Sequence, residues 1–254
     1  MMRAAYLVHR NALVYRRVWR GSAFSSFIQP ILFLFAIGMG VGGMMGSAHS
    51  LPGGVSYAQF LAPGLLAAAA MQQAGFESSY PVLGKMTWFR NYEAITATPM
   101  GVHDLVIGEL SWLALRLSSI ATAFMIVMTV FDIPRSPLVL LTLPVVVLTG
   151  IAFAAPIMAY AATRKNSATF NVMFRFVLTP LFMFSGVFFP VSALPTALQR
   201  VAWGTPLFHG VELIRGLTLA AVPPTWPYHL GYLVCLAAVG IALAFRTFER
   251  RLNA

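Results

Sequence analysis

A long apolar stretch without formal charge decides the fold, and it runs from Gly21 to Phe76 as GSAFSSFIQPILFLFAIGMGVGGMMGSAHSLPGGVSYAQFLAPGLLAAAAMQQAGF. A helix needs about 20 apolar residues to cross a bilayer, so this stretch is too long for one span and fits two. Turn-forming residues cluster at Gly46–Gly54, which reads GSAHSLPGG. We therefore predict a first span at 24–45 and a second at 57–76.

The composition supports a membrane protein throughout. Hydrophobic residues make up 59% of the chain and charged residues 9%, whereas a soluble domain carries about 25% charged residues. A soluble chain this poor in charge could not cover its own surface, so we predict one membrane domain over residues 1–254. Cys235 is the single cysteine, which excludes an intrachain disulfide and favours a packing role.

Further apolar runs predict spans at 110–131, 138–162, 174–189 and 229–245. The segment between the last two, 190–227, holds six prolines among short apolar pieces. Irregular backbone at membrane depth is tolerated only where protein or water covers it. We expect two short re-entrant helices there that cap the outer leaflet, the alternative being a structural plug. The predicted fold class is thus an all-α integral membrane protein of six transmembrane helices.

Lysine and arginine placement predicts the orientation, since cytoplasmic segments are enriched in both. Only Arg135, Arg200 and Arg215 fall on the predicted outer side, so both termini are expected in the cytoplasm. An even span number agrees, because it places both ends on one side. The net charge of +10 then suits anionic lipid headgroups rather than nucleic acid. The basic residues on the predicted inner side are Arg3, Arg10, Arg16, Arg17, Arg20, Lys85, Arg90, Arg164, Lys165, Arg175, Arg246, Arg250 and Arg251.

The pattern of residues 1–20 predicts an amphipathic helix, because Arg3, Arg10 and Arg17 would lie on one side of a helix. Such a helix lies flat in the cytoplasmic interface, either as a topology anchor or as a lever that couples a cytoplasmic partner to the first span. Cleavage as a signal peptide is not expected, since the apolar run exceeds the usual 7–15 residues. The glycine spacing from Gly38 to Gly46 predicts close helix packing.

The second loop is the most informative cytoplasmic stretch. A short helix is predicted from Lys85 to Thr96, with its end near Pro99. The segment 85–99 mixes aromatic and charged residues, as docking surfaces do, the alternative being a solvated helix without a partner. Arg116, early in the third span, is predicted to snorkel or to form a structural ion pair, with Glu109 two turns back on the same face.

Several chemistries have no sequence basis. The Gly84-Lys85 pair is followed by Met86, so no P-loop is present, and no zincin or paired-cysteine pattern predicts a metal. Met183 stands where an intramembrane serine protease motif around Ser185 needs glycine. The first, second, fourth, fifth and sixth spans contain no carboxylate, which argues against an ion-coupled carrier. We predict no catalytic residues and no cofactor in this chain, and an energy source in another subunit.

Three stretches carry a resemblance to a known family: Tyr57–Leu66 (YAQFLAPGLL), Arg90–Pro99, and Ser185–Pro190 (SGVFFP) followed by Leu194-Pro195 and Pro206–His209 (PLFH). In their order and spacing they resemble the permease subunits of type-2 ATP-binding cassette exporters, in the nodulation-factor and drug-resistance branch. The resemblance covers nearly the whole length. It implies six spans, an N-terminal interface helix, re-entrant helices between spans 5 and 6, and a bacterial plasma (inner) membrane location.

The resemblance also implies partners and sites. Two permeases, as copies or paralogues, would pair with two cytoplasmic ATPase subunits, which bind ATP and Mg. Substrates in the family are drugs, lipids, glycolipids or polysaccharides. An ion-coupled carrier, a membrane enzyme and a scaffold stay open as other hypotheses. The coupling residues implied are Arg90, Tyr92, Glu93, Thr98 and Pro99, and the exit-gate residues are Phe184, Phe188, Phe189 and His209.

Overall fold

A computed structural model describes residues 2–33, 35–36 and 54–253, and in these ranges the regular structure is helical. A 3₁₀ turn at Pro137–Leu141 precedes the helix Thr142–Ala162, and a π turn at Phe174–Leu178 lies within the helix Ala168–Phe184. A second 3₁₀ turn at Val191–Ala193 precedes the helix Thr196–Trp203. The helices are α1 Met2–Phe33, α2 Tyr57–Thr87, α3 Asn91–Thr96, α4 Val102–Val130, α5 Thr142–Ala162, α6 Ala168–Phe184, α7 Thr196–Trp203, α8 Pro206–Leu219 and α9 Trp226–Leu252.

Three of these helices are long and apolar enough to cross a membrane: α4, α5 with its preceding 3₁₀ turn, and α9. Helix α6 is apolar but shorter. The all-helical membrane class is therefore confirmed, while the count of six spans stays a prediction. The predicted fifth span, 174–189, is displaced from its helix: α6 ends at Phe184, because Gly186 takes a left-handed φ of 82° that an α-helix does not accommodate.

Helix α2 starts with a capping box, in which Gln59 N–H donates to the Ser56 hydroxyl and Ser56 N–H donates to the Gln59 side chain. The helix continues past the predicted end at residue 76 to Thr87. At 1.5 Å per residue its 31 residues extend for about 46 Å. Part of the stretch predicted as a cytoplasmic loop is thus the last turns of α2, which place Glu77 and Lys85 on a rigid element.

Helix α1 is continuous from Met2 to Phe33, so no helix end separates the predicted interface helix from the predicted first span. It runs alongside α4, where Leu7 packs over Gly108 and Tyr15 meets Trp112 edge-on at 5.8 Å. Placement flat in the interface stays a prediction. Most of the rest of the predicted first span, with the glycine spacing from Gly38, lies outside the described residues.

Helix α5 is the centre of the bundle and contacts α2, α4, α8 and α9. It packs closely on α9, where Gly240 faces Pro156: a β-carbon on Gly240 would lie 2.5 Å from Pro156 Cδ. Small residues allow this approach of helix backbones. Helices α5 and α9 thus form a closely packed pair within the bundle.

The bundle has two distinct ends. At one end, α3 lies beside the last turn of α9, where Tyr92 and Phe248 have ring centroids 5.8 Å apart. The start of α4 and the start of α1 lie at this same end, which we call the α3 end. The start of α2 lies at the opposite end, where the Arg135 guanidinium donates to the Gln59 side chain at 2.8 Å. The first and last helices therefore begin and end on one side of the bundle, as charge placement predicts.

Candidate functional site

The connection from α2 to α3 exposes large aromatic side chains at the α3 end. Trp88 is 62% exposed and Phe89 is 70% exposed. The chain reverses at Arg90, whose φ of 48° and ψ of 28° lie in the left-handed region. This conformation is uncommon for a residue with a side chain, so the turn holds Trp88 and Phe89 outward. We call Trp88, Phe89, Arg90 and Glu93 the aromatic corner.

Of the residues predicted for coupling, Arg90, Glu93, Thr98 and Pro99 are exposed at the α3 end. The Arg90 Nε and Glu93 Oε2 atoms lie 3.9 Å apart and face solvent, so this ion pair contributes little to stability. Trp88 and Phe89 lie within the segment 85–99 that is predicted to dock a partner, although neither is among the residues predicted for coupling. Two adjacent aromatic residues before an arginine are the sequence signal for them.

Tyr92, also predicted for coupling, points into the bundle. Its side chain is fully buried. Burial raises its pKa well above the usual value, the negative charge of Glu109 adds to the rise, and Arg10 opposes it. Tyr92 therefore anchors α3 to the bundle, whereas the aromatic corner is what α3 presents outward.

Two ion pairs join α2 to α4 behind this anchor. Lys85 Nζ lies 2.7 and 2.8 Å from the two carboxylate oxygens of Glu109. The second pair joins Arg116 Nε to Glu77 Oε1 at 2.9 Å. Helices α2 and α4 are antiparallel, and each has its acidic residue before its basic residue along the chain. Each acid therefore faces a base of the other helix. The predicted structural pairing of Arg116 is confirmed, with Glu77 as its partner rather than Glu109.

The environment of Arg116 explains how a charge is tolerated in a helix of the membrane class. Its guanidinium lies 4.3 Å from the centre of the Tyr15 ring of α1, a cation–π distance. The Gln73 side chain donates to the same Glu77 oxygen. The Arg116 guanidinium on α4 therefore contacts side chains of α1 and α2. These contacts fix the three helices relative to one another and occupy the arginine, so it is not available to a substrate.

A groove of about 320 Å³ opens between α2 and α6. It lies one turn from Glu77, on the side of α6 that contains the π turn, where the Thr179 hydroxyl donates to the Phe174 carbonyl at 2.9 Å. π turns occur frequently at functional sites. The mostly apolar wall with a few polar groups is typical of a small-molecule site. The lining residues are Gln72, Phe76, Phe174, Leu178, Thr179 and Phe182.

The segment Ser185–Pro190, which we call the exit loop, contains two of the predicted gate residues, Phe188 and Phe189. Phe188 meets Phe182 edge-on with ring centroids 4.9 Å apart, and both Phe188 and Phe189 are half-buried. Phe184 ends α6 just before the loop and is 41% exposed. Phe184, Phe188 and Phe189 are therefore close together in sequence and lie at the end of the bundle opposite the α3 end.

The backbone of the exit loop packs directly on α2. Val187 is fully buried against Gly64, where a β-carbon would lie 3.0 Å from the Val187 Cα and carbonyl oxygen. The Tyr57 hydroxyl donates to the Phe188 carbonyl at 3.1 Å. The Tyr57 side chain of α2 thus satisfies a backbone carbonyl of this irregular segment.

His209, the fourth predicted gate residue, belongs to a different cluster. It is fully buried, and its Nε2–H donates to the Trp203 carbonyl at 2.9 Å. Its Nδ1 therefore accepts in the neutral ring. The Nδ1 atoms of His209 and His229 lie 2.7 Å apart, so His229 donates, and the Thr225 hydroxyl donates to the remaining nitrogen at 3.1 Å. Stacking of Tyr232 on His209 at 4.1 Å completes a cluster between α8 and α9.

Comparison with known proteins places this architecture among transport permeases. The family model described as ABC-2 type transporter matches residues 3–219. Nodulation protein J of Rhizobium meliloti (strain 1021) is 35% identical over 243 residues, which cover 96% of this chain and 91% of that protein. The same-named protein of Rhizobium leguminosarum bv. viciae is 34% identical over 96% of this chain and 92% of its own. The inner membrane transport permease YadH of Escherichia coli (strain K12) is 25% identical over 82% of this chain and 78% of its own.

Proposed function

The chain belongs to the ABC-2 type transporter family and is the transmembrane subunit of an ABC exporter, and from this premise we propose how its parts divide the work. A separate cytoplasmic ATPase docks on the aromatic corner. The groove between α2 and α6 admits an amphipathic or hydrophobic substrate, and the exit loop closes the far end of the path. The α3 end then faces the cytoplasm, in a bacterial inner membrane.

One observation supports ATPase docking most directly: Trp88 and Phe89 are exposed, and the segment that contains them is anchored to the bundle. Protein interfaces are enriched in Trp, Phe and Arg, and a few such residues carry most of the binding energy. A docking helix transmits motion only if it is attached to the long helices of the bundle that have to move. Tyr92 and the Lys85–Glu109 pair supply that anchor by joining α3 to α2, α4 and α9.

The groove and the exit loop support an amphipathic substrate. The groove wall is mostly apolar, with Gln72 and Thr179 as its polar groups, which suits a molecule with a hydrophobic part and a few polar groups. The groove leads along α2 and α6 to the exit loop at their far ends. The proposed substrate is a drug, a lipid, a glycolipid or a polysaccharide. A second permease copy or paralogue would complete the path from the other side, and two ATPase subunits would drive the pair.

The test begins with purification of the intact chain from its native membrane and identification of any P-loop ATPase that accompanies it. In liposomes, we expect the chain to stimulate ATP hydrolysis by that ATPase. We expect Glu93→Arg to abolish the association without lowering thermal stability, because Glu93 is exposed at the corner. Glu249→Arg changes a half-exposed acid at the same end but outside the corner. It serves as the matched control and should retain the association.

Two results would contradict the proposal at different points. Unchanged association after Glu93→Arg would remove the assignment of the corner. Uptake of substrate by the purified chain alone under a proton gradient would instead favour the ion-coupled carrier. Against the carrier, each carboxylate that lies between the described helices forms an ion pair with a base: Glu109 with Lys85, Glu77 with Arg116, and Glu212 with Arg215.

A further inference from the structure

Arg215, in α8, is the buried charge that contacts the exit loop. Its side chain is 13% exposed, and its three nitrogen atoms have three different partners. Nη2 donates to the Gly186 carbonyl at 2.7 Å, Nε donates to the Phe60 carbonyl at 3.3 Å, and Nη1 pairs with Glu212 Oε1 at 3.2 Å. One guanidinium therefore joins the exit loop, α2 and α8.

The geometry around Arg215 is specific to arginine. The guanidinium carbon lies 3.9 Å from the centre of the Phe60 ring, so the planar group stacks on that ring while its edges donate. Gly64 leaves room beside it, since a β-carbon there would lie 3.4 Å from Nη2. A lysine ammonium is a point charge and could not reach all three partners in one plane.

The contact with Gly186 depends on the backbone of the exit loop. Gly186 takes a φ of 82°, a left-handed conformation that residues with side chains rarely adopt. This conformation directs its carbonyl toward α8 rather than along the path of α6. The hydrogen bond from Arg215 is charge-assisted, and such bonds are about twice as strong as neutral ones. The turn and the arginine thus act together at one point of the loop.

Burying an arginine in this region costs free energy, which a neutral residue of similar size would avoid. Glu212 and two carbonyls offset the cost but do not explain why a charge is placed at the loop. We propose that Arg215 is the positioning residue of the exit loop: its guanidinium holds Gly186 against α2 and keeps Phe188 closed, and the loop opens when this bond is released. The inference rests on the proposed role of the loop as the exit.

The experiment measures how fast a charged, membrane-impermeant maleimide labels a cysteine introduced by Phe188→Cys. Because native Cys235 is exposed, all variants carry Cys235→Ser. The permease is reconstituted in liposomes without any ATPase, so the result does not depend on ATP coupling. Arg215→Met removes all three bonds, and Arg215→Lys keeps the charge while losing the planar donors. Arg200→Met, an exposed arginine at the same end of the bundle, is the matched control.

We expect both Arg215 variants to raise the labelling rate at least about tenfold, which corresponds to about 1.4 kcal/mol in the closed–open equilibrium. The Arg200→Met rate should match that of the parent. A second reporter separates opening from general loosening: Ala202→Cys places a thiol at a position of α7 that is 2% exposed. It should stay unlabelled in every variant.

Three outcomes would overturn the inference. Labelling of Phe188→Cys at the parent rate in Arg215→Lys would show that the planar bonds do not hold the loop, even if Arg215→Met fails to fold. Labelling of both reporters would assign Arg215 a general structural role. An equal rise in Arg200→Met would attribute the effect to lost charge. Loss of ATPase association, by contrast, would count against the proposed docking and leave this measurement intact.

Discussion

The ammonium of Lys85 lies 2.7 and 2.8 Å from the two carboxylate oxygens of Glu109, so one base of α2 engages both oxygens of an acid on α4. Glu109 is 7% exposed and Lys85 is 22% exposed, so water screens the pair poorly. The buried ring of Tyr92 lies beside it, with its centre 5.8 Å from the ammonium. The ion pair therefore lies between the transmembrane helices and the anchor of α3.

We expect Lys85→Met to destabilise the protein by about 3–5 kcal/mol, since it leaves the Glu109 carboxylate buried without a partner. The double variant Lys85→Met/Glu109→Leu should recover most of that loss, because replacing a buried pair with apolar residues is often neutral. Thermal unfolding midpoints in detergent would measure both. A double variant as unstable as the single one would contradict this account. Arg90→Met, which removes an exposed pair, is the control and should leave the midpoint unchanged.

The aromatic corner predicts where the ATPase binds. We expect Trp88→Ala and Phe89→Ala each to weaken association with the ATPase at least about tenfold, because truncation of an aromatic anchor in an interface costs about 2 kcal/mol or more. The affinity is measured by titrating the ATPase onto the permease in nanodiscs. Trp226→Ala removes a similarly exposed tryptophan at the opposite end and should have no effect. Equal weakening in all three would point to a general change in the permease.

The groove between α2 and α6 predicts a steric block. We expect Gln72→Trp to lower ATP-driven efflux of a hydrophobic fluorescent dye by about tenfold, because an indole fills much of a 320 Å³ groove. Association with the ATPase should persist, since Gln72 is far along α2 from the aromatic corner. Leu115→Trp, an exposed position on α4 outside the groove, is the control. Undiminished dye efflux in Gln72→Trp would show that substrate passes elsewhere.

The contact between α9 and α5 predicts a packing defect. Gly240→Val would place side-chain atoms within the space occupied by the Pro156 ring, and we expect a loss of about 1–3 kcal/mol, as for other overpacked sites. Gly231→Ala on the same helix is the matched control, because a β-carbon there meets nothing within 4 Å. The comparison uses thermal midpoints of the two variants. Equal midpoints would show that α9 can move away from α5 at no cost.

The histidine cluster predicts a pH dependence of stability. Burial, and then the neighbouring His229, lower the pKa of His209 from 6.5 to about 4. Between these pH values the unfolded chain binds a proton that the folded chain does not, so stability falls as the pH drops from 6.5 to 4 and levels off below. The slope from one group is at most about 1.4 kcal/mol per pH unit.

Thermal midpoints from pH 7.5 to 3.5 would show this slope. His209→Gln cannot gain the proton in the unfolded chain, so its profile should be flatter across the same range. A parallel profile in His209→Gln would assign the slope to other groups and contradict the histidine argument.

The sequence alone determined the membrane class, the family and the side of the bundle that carries most of the basic charge. These follow from composition and local pattern: charge-free runs predict apolar helices, and the motifs at Tyr57–Leu66 and Ser185–Pro190 lie in fixed order. The gate residues Phe188 and Phe189 are predicted from the motif at Ser185–Pro190, and the coupling residues Arg90 and Glu93 from the stretch Arg90–Pro99. Their roles stay predictions.

Tertiary structure alone decided which side chains meet. Arg90 and Tyr92 are two residues apart in sequence, yet Arg90 is exposed and Tyr92 is buried in the bundle. The left-handed turn at Arg90 and the packing of α9 on Tyr92 decide where the two side chains point. Likewise, pairing of Arg116 with Glu77, and contact of Arg215 with Gly186 at 2.7 Å, depend on helices that are distant along the chain. Local pattern specifies helices, whereas burial and partner choice arise only when the helices pack.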